Sequence, residues 1–283
     1  MRLLSWNIQW CRGVDGIVDP ARIARTARAL CDPDVLCLQE VASNFPALSG
    51  SRGEDQLAAL TAEFPGLSAA VAWGVDVPDD AGGRRRFGNL VLSRFPIGRV
   101  RRHALPWPPE PGVASMPRVA LEAEIHAPWG AVRVTTTHLE YYSPLQRRAQ
   151  VERLRALHAE ACAQAAAAPS PREDGGPFQR RLRPCAAILT GDFNLTADDP
   201  LHTRLCAPYD DATPQLHDAW QVLHGTTPHP PSFRLHEPDD AGSPYCCDFV
   251  LLSEDLVPRL KTVRIDAQCQ ASDHQPVVAE FSA

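Results

Sequence analysis

Two short clusters in this chain carry groups that could do chemistry together. Gly191-Asp192-Phe193-Asn194 follows the apolar run Ala186-Ala187-Ile188-Leu189-Thr190, and Ser272-Asp273-His274 stands near the C-terminus. Each sets a carboxylate beside an amide or an imidazole just past a strand-like stretch, where a strand tip would hold them rigidly toward a pocket. Carboxylate and carbonyl oxygens suit hard cations such as Mg²⁺ or Mn²⁺. A His beside a carboxylate suits phosphate chemistry. Either cluster alone is common; both in this order are not.

The elements that must position these groups read as follows. Residues 2–10 form a buried strand. Asp19 then caps a helix with Pro20 in its first turn, and Ile23, Ala27 and Leu30 give it an apolar stripe. Residues 34–39 are a second apolar strand with Glu40 at its end, and 54–64 an amphipathic helix. Residues 75–88, with Gly82-Gly83 and Arg84-Arg85-Arg86, read as a polar loop. Strands are predicted over 89–93, 118–125 and 131–137, the last two joined by the turn Ala127-Pro128-Trp129-Gly130. Residues 103–117 are Pro-rich and irregular. Ser143-Pro144-Leu145-Gln146 is a capping box opening a long Ala-rich helix. Residues 169–184 read as a flexible charged insertion and 224–245 as a loop, followed by strands at 248–253 and 277–281. Strands outnumber helices and several neighbours look antiparallel. This predicts an α/β fold with mixed sheets rather than a parallel dinucleotide-binding sheet, and no GxGxxG follows the first strand.

Composition narrows the classes. The chain has 283 residues, 44% of them hydrophobic, and a formal charge of −6. That suffices for a sizeable core and excludes a uniformly basic nucleic-acid-binding surface. Lys261 is the only lysine, so arginine counts say little about function. No apolar stretch is long enough to span a bilayer. Nine scattered cysteines without a CxxC pair argue against a disulfide framework or a structural zinc site and for buried free thiols in a reducing cytoplasm. The first residues are too short and polar a run for a signal peptide.

In order along the chain stand Ser5-Trp6-Asn7, Leu38-Gln39-Glu40, Gly88-Asn89, Leu92-Ser93-Arg94-Phe95-Pro96, Thr137-His138-Leu139, Gly191-Asp192-Phe193-Asn194, Asp248-Phe249-Val250 and Ser272-Asp273-His274-Gln275-Pro276. With these segments the chain resembles the endonuclease/exonuclease/phosphatase superfamily, which includes DNase I, abasic-site endonucleases, neutral sphingomyelinases and inositol polyphosphate 5-phosphatases. The resemblance covers essentially the whole chain. It implies one domain over 1–283, a DNase I-like four-layer sandwich of two mixed β-sheets flanked by helices. It also implies a Mg²⁺- or Mn²⁺-dependent phosphoesterase.

On this resemblance Glu40 is the leading metal ligand, with Asp273 a second metal-side carboxylate and Asn7 supporting the cation or positioning Glu40. Asp192 and Asn194 are two apart and point the same way in an extended segment. Asp192 can therefore orient or deprotonate the attacking water, and Asn194 can donate to a phosphate oxygen. His274 resembles the catalytic His and Asp248 the Asp that orients it. Asn89 and Arg118 match phosphate-contacting positions. His138 resembles the His of DNase I-like and sphingomyelinase-like members rather than the segment of abasic-site enzymes. Tyr141 or Tyr142 could stack on a base or sugar, and Arg84 to Arg86 could meet a phosphate backbone. Taken singly, each has an ordinary alternative: a solvated Glu, an Asx-turn, rim packing, an exposed basic loop. The other histidines, His126 among them, read as surface or loop residues. The substrate implied first is DNA or RNA, with a small-molecule or lipid phosphate as the alternative; no protein partner and no membrane insertion are implied.

Overall fold

A computed structural model describes residues 1–79, 82–167, 172–179, 181, 183–236 and 242–283. Parts of the expected insertion at 169–184 and of the loop at 224–245 lie outside the described residues.

The chain opens with β1 (Arg2–Asn7), crosses through α1 (Pro20–Cys31) and returns as β2 (Val35–Ser43), parallel to β1. Asp19 caps α1 by accepting from the Arg22 amide, with Pro20 in the first turn, as the sequence predicts. After α2 (Gln56–Glu63) come β3 (Ser68–Pro78), β4 (Arg84–Ser93), β5 (Ile97–Ala104), β6 (Val119–Ala127) and β7 (Gly130–His138). The Ser143 hydroxyl accepts from the Gln146 amide to open α3 (Pro144–Ala166). This helix crosses to β8 (Ala187–Asp192), parallel to β7. Then follow α4 (Pro200–Leu205), β9 (Leu216–Asp218), α5 (Ala219–His224), β10 (Asp248–Ser253), β11 (Leu260–Ile265) and β12 (Val277–Phe281).

The strands form two six-stranded sheets, β11-β12-β1-β2-β4-β3 and β5-β6-β7-β8-β10-β9. Both follow one plan: an antiparallel pair, a parallel pair joined through a helix, then two more antiparallel strands. Side chains alternate across each strand. Leu3, Val35, Cys37 and Val91 therefore face Val134, Ile188 and Val250 between the sheets. Leu4, Trp6, Leu36 and Leu90 pack outward under Ile23, Ala27 and Leu60, and Leu189, Phe249 and Leu251 under Val151, Leu154 and Leu205. The result is helices, sheet, sheet, helices, the expected four layers.

Several expectations change. Residues 75–78 and 84–88 are not loop: they lie in the arms of the β3–β4 hairpin, in which Arg84 and Arg86 both reach Asp76 Oδ1, at 2.7 and 3.4 Å. Cross-strand charge pairing holds a segment whose polarity looked loop-like. Glu40 does not end its strand but sits inside β2. β5, β9 and β11 carry no clear apolar alternation and went unread. Cys162 and Cys185 form a disulfide across the α3–β8 crossover, while the other seven cysteines are free. His158 and His202 are buried rather than superficial.

Candidate active site

The shared plan of the two sheets brings their functional ends together at one edge of the sandwich. Asn7 ends β1, Glu40 lies in the adjoining β2, and His138 and Asp192 end the parallel pair β7 and β8. Asp248 starts β10 directly opposite Asp192. Ser272-Asp273-His274 enters just before β12.

Asn7 is fully buried and ties the two sheets. Its Nδ2 donates to Glu40 Oε1 (3.1 Å) and to Asp192 Oδ2 (3.0 Å), while its Oδ1 accepts from the Gln9 amide (3.1 Å). The amide thus spends its hydrogens on positioning carboxylates. Glu40 has φ +60° and sits where the β2–β4 register shifts between Leu38 and Val41. An L-residue in the left-handed region at a bulge is strained; here it turns the carboxyl toward the site. Burial and the Asp273 charge, joined by Asp192 and opposed by the Asn7 hydrogen bond and His274, push the Glu40 carboxyl up to about 7. Asp273 is held by Gln9, whose Nε2 donates to Oδ2 at 2.6 Å.

The Gly191-Asp192-Phe193-Asn194 turn follows from packing. Gly191 has φ +141°, and a Cβ there would lie 1.9 Å from the Thr137 carbonyl oxygen, so only glycine fits. Phe193 is buried against Phe249, ring centroids 5.9 Å apart. Asp192 Oδ1 accepts from the Asn194 amide (2.9 Å), and Asn194 Nδ2 donates to the Leu139 carbonyl (2.8 Å).

His274 Nδ1 donates to Asp248 Oδ2 at 2.9 Å, and Ser232 Oγ donates to the same oxygen at 2.6 Å. Phe233 stacks on the imidazole, centroids 4.4 Å apart. His274 Nε2 stands 3.6 Å from Asp192 Oδ2. Burial disfavours its charge, but Asp248 and Asp192 outweigh burial and raise the imidazole to about 10. His138 behaves oppositely: burial and the nearby Arg118 push it down to about 3 despite Asp192. It is a neutral imidazole, Nε2 3.4 Å from Asp192 Oδ2 and Nδ1 3.7 Å from Glu40 Oε1.

The remaining expected residues divide. Arg118 is buried against Glu140 (Nε to Oε2 3.4 Å) and lines the pocket. Tyr142 is 64% exposed on the rim, edge-on to Tyr141. Asn89 is turned away, its Nδ2 donating to the Val119 carbonyl; it braces β4 against β6 beneath Glu40. None of Arg84, Arg85 and Arg86 lines the pocket. The cavity itself measures about 380 Å³ and runs from Glu40, His138, Asp192, Asp273 and His274 to a wall containing Trp10, Phe45, Phe87, Tyr141 and Phe233. Gln9, Glu140, Ser232 and Phe233 were missed. Gln9 opens a 3₁₀ helix and the others stand in loops, all without periodicity, and only the fold shows what they touch.

The donor set fits a hard divalent cation. The carboxylates of Glu40, Asp192 and Asp273 converge there, and burial, with the Asp273 charge, raises the Glu40 carboxyl to about 7. A cation supplies the missing positive charge to such a cluster. Cys247, buried beside it, has its thiol pushed well above the ordinary range by burial and by Asp192 and Asp248, and adds no hard ligand.

A sequence profile described as "Endonuclease/Exonuclease/phosphatase family" matches residues 4–274. The chain belongs to that family. Its members are divalent-metal-dependent phosphoester hydrolases. No curated protein matches the chain in sequence. Among solved structures, it is similar to an endonuclease/exonuclease/phosphatase from Beutenbergia cavernae, at 24% identity and TM-score 0.65, covering 100% of this chain and 72% of that one. D. rerio TDP2, solved with a single-strand DNA product, is 17% identical, with TM-score 0.65 over 100% and 99% of the two chains. The 3′ phosphatase NExo from Neisseria, bound to a product DNA hairpin, is 19% identical, with TM-score 0.62 over 100% of both. At these identities the likeness concerns the fold.

Proposed function

We propose that this enzyme hydrolyses phosphodiester bonds of DNA or RNA by in-line attack of water, with Mg²⁺ or Mn²⁺ as the cation, within one domain spanning residues 1–283. The supporting observation is the cavity: a carboxylate and imidazole cluster at one end and flat aromatic side chains along the wall, where bases stack. Two structural neighbours were solved with DNA, which is consistent with this reading.

Glu40 and Asp273 would hold the cation, with Asn7 and Gln9 fixing their orientation. When bound, the cation would act as a Lewis acid on the phosphoryl oxygens. Asp192, aligned by Asn7 and the Asn194 amide, orients the attacking water and accepts its proton. His274, charged and clamped by Asp248, stabilises the oxygen on which negative charge develops. His138 is neutral and acts as a hydrogen-bond donor rather than an acid. The second Nδ2 hydrogen of Asn194 and the unpartnered Arg118 Nη1 are available to phosphate oxygens, and Tyr142 to a base or sugar.

A second reading, a small-molecule or lipid phosphoesterase, is favoured by one observation. Leu48, Val75, Phe87 and Met116 make part of the wall apolar, while Arg84 and Arg86 are engaged by Asp76 rather than facing the pocket. A substrate panel decides: supercoiled plasmid, single-stranded DNA and RNA, bis-p-nitrophenyl phosphate, sphingomyelin and inositol phosphates, each with Mg²⁺ or Mn²⁺. Turnover of only the small esters overturns the nucleic-acid assignment.

A further inference from the structure

The catalytic roles leave one buried group at the site unused. Cys247 is fully buried, and its Sγ lies 3.5 Å from Asp248 Oδ2. One ligand atom each from Asp192, Cys247 and His274 lie within 4.8 Å of one another, the one such grouping of three among the described residues. The chemistry of this set differs from that of Glu40 and Asp273. It offers one carboxylate oxygen, one imidazole nitrogen and one thiol sulfur, the mixture that borderline-soft cations such as Zn²⁺ select and that Mg²⁺ does not. Tetrahedral Zn²⁺, with ligands at about 2.0–2.3 Å, needs its ligand atoms roughly 3.3–3.7 Å apart. The His274 Nε2 to Asp192 Oδ2 separation is 3.6 Å, within that range.

We propose that Asp192, Cys247 and His274 form a second metal site, selective for thiophilic divalent cations, whose occupation switches the enzyme off. Coordination replaces the thiol proton: M²⁺ joins Cys247 Sγ, a His274 ring nitrogen and an Asp192 oxygen, and the thiol proton leaves to solvent, giving a thiolate–imidazole–carboxylate complex. The fourth position is left to water or a substrate oxygen. A cation there takes Asp192 away from the water and neutralises the role of His274, so the two sites exclude one another functionally although their ligands differ. The feature that makes the site is the cysteine, which precedes Asp248 and has no part in the hydrolysis. The binding half of this inference stands apart from the substrate assignment; only the inhibition half rests on the phosphoesterase activity.

The experiment titrates Cd²⁺ and Zn²⁺ into the metal-free full chain. Cd²⁺ should develop a thiolate-to-metal absorption band at one equivalent, and calorimetry in two buffers should report proton release. Cys247→Ala should abolish the band and weaken Zn²⁺ binding by about 100-fold or more, beyond the effect of losing a supporting neighbour. Cys31→Ser/Cys206→Ser, which removes the two partly exposed free thiols, should leave the band intact. In the Mg²⁺-supported hydrolysis of bis-p-nitrophenyl phosphate, Cys247→Ala should retain turnover and tolerate at least about 10-fold more Zn²⁺ than the parent. An unchanged band in Cys247→Ala, or equal Zn²⁺ sensitivity of the two proteins, overturns the proposal. If Cys247→Ala does not fold, zinc-edge anomalous scattering from crystals of the parent decides: a peak enclosed by Asp192, Cys247 and His274 supports the site, and its absence in zinc-soaked crystals refutes it.

Discussion

His274 and Asp248 should behave as a single unit, and the structure sets the size of the effect. The pair is buried, joined at 2.9 Å, and Asp248 also receives Ser232 at 2.6 Å. A buried hydrogen bond to a charged group contributes about 1.5–3 kcal/mol, so Asp248→Asn, which keeps the shape and removes the charge, should lower kcat/KM about 10- to 150-fold. His274→Ala removes the imidazole outright and should cost about 10²–10⁴-fold. If Asp248 works only through His274, nothing remains for it to stabilise once the imidazole is gone. The double variant should then match His274→Ala to within about threefold, whereas independent roles would multiply to roughly 10³–10⁶. The assay is hydrolysis of bis-p-nitrophenyl phosphate at saturating Mg²⁺ or Mn²⁺, with urea unfolding of each variant to exclude loss of fold. Strictly multiplicative losses would refute the pairing and give Asp248 a separate task.

Activity should vanish with EDTA and return with Mg²⁺ or Mn²⁺. Glu40→Gln should raise the metal requirement and cut the rate by about 10²-fold or more; full turnover in a verified metal-free preparation would end the metal-site reading. Gly191→Ala should destabilise the β7–β8 pair by about 3 kcal/mol or more, since its Cβ would meet the Thr137 carbonyl at 1.9 Å; an unchanged urea midpoint would contradict that packing. His158, away from the site, receives Arg133 Nη2 on Nδ1 and donates Nε2–H to the Pro214 carbonyl. Burial and the Arg133 charge push its imidazole down to about 4. The unfolded chain therefore takes up this proton first as pH falls through about 6.5, and stability drops by about 2 kcal/mol between pH 7 and 5. His158→Gln should remove that part of the pH dependence, and an identical slope in parent and variant would refute it. Finally, Arg84→Ala/Arg86→Ala should leave the salt dependence of nucleic-acid binding unchanged, because Asp76 already occupies both side chains; a flatter slope would restore their contact with phosphates.

How much of this was legible in the sequence depends on how each residue is held. Asp19, Ser143 and the strands ending at Asp192 and starting at Asp248 follow from local rules of capping and apolar runs, and they emerged where expected; the first strand, expected over 2–10, ends at Asn7 because Gln9–Cys11 form a 3₁₀ turn. The β3–β4 hairpin did not, because Gly74, Asp76 and Arg84 to Arg86 give its outer part a loop-like composition, although Trp73, Val75 and Val77 alternate and Arg84 and Arg86 pair across to Asp76. β5 hid for a related reason: Arg101 is satisfied by Glu122 Oε1 at 3.0 Å from the neighbouring strand. Glu40 reads as a candidate ligand at a strand end, whereas the structure sets it inside β2, at a left-handed position where the β2–β4 register shifts. The roles of Gln9 and Ser232 were invisible, for each acts on a residue brought near only by the fold: Gln9 on Asp273, Ser232 on Asp248.

The repeated plan of the two sheets explains why these long-range partners meet at all. In each sheet an uncharged or neutral side chain at the end of one parallel strand meets a carboxylate of the other: Asn7 bonds Glu40, one residue past its register partner Gln39, and His138 pairs with Asp192. Packed face to face, the two pairs put both carboxylates within reach of a single amide, Asn7 Nδ2, at 3.1 and 3.0 Å. Positive charge then has to come from elsewhere. Against burial, Asp248 and Asp192 raise the His274 imidazole and favour its charged form, and the carboxylates of Glu40 and Asp273 suit a cation. The charge state of the site is therefore a property of the sandwich and not of either half. It follows that substitutions at Asn7, which bears no charge and touches both halves, should disturb cation affinity and water activation together.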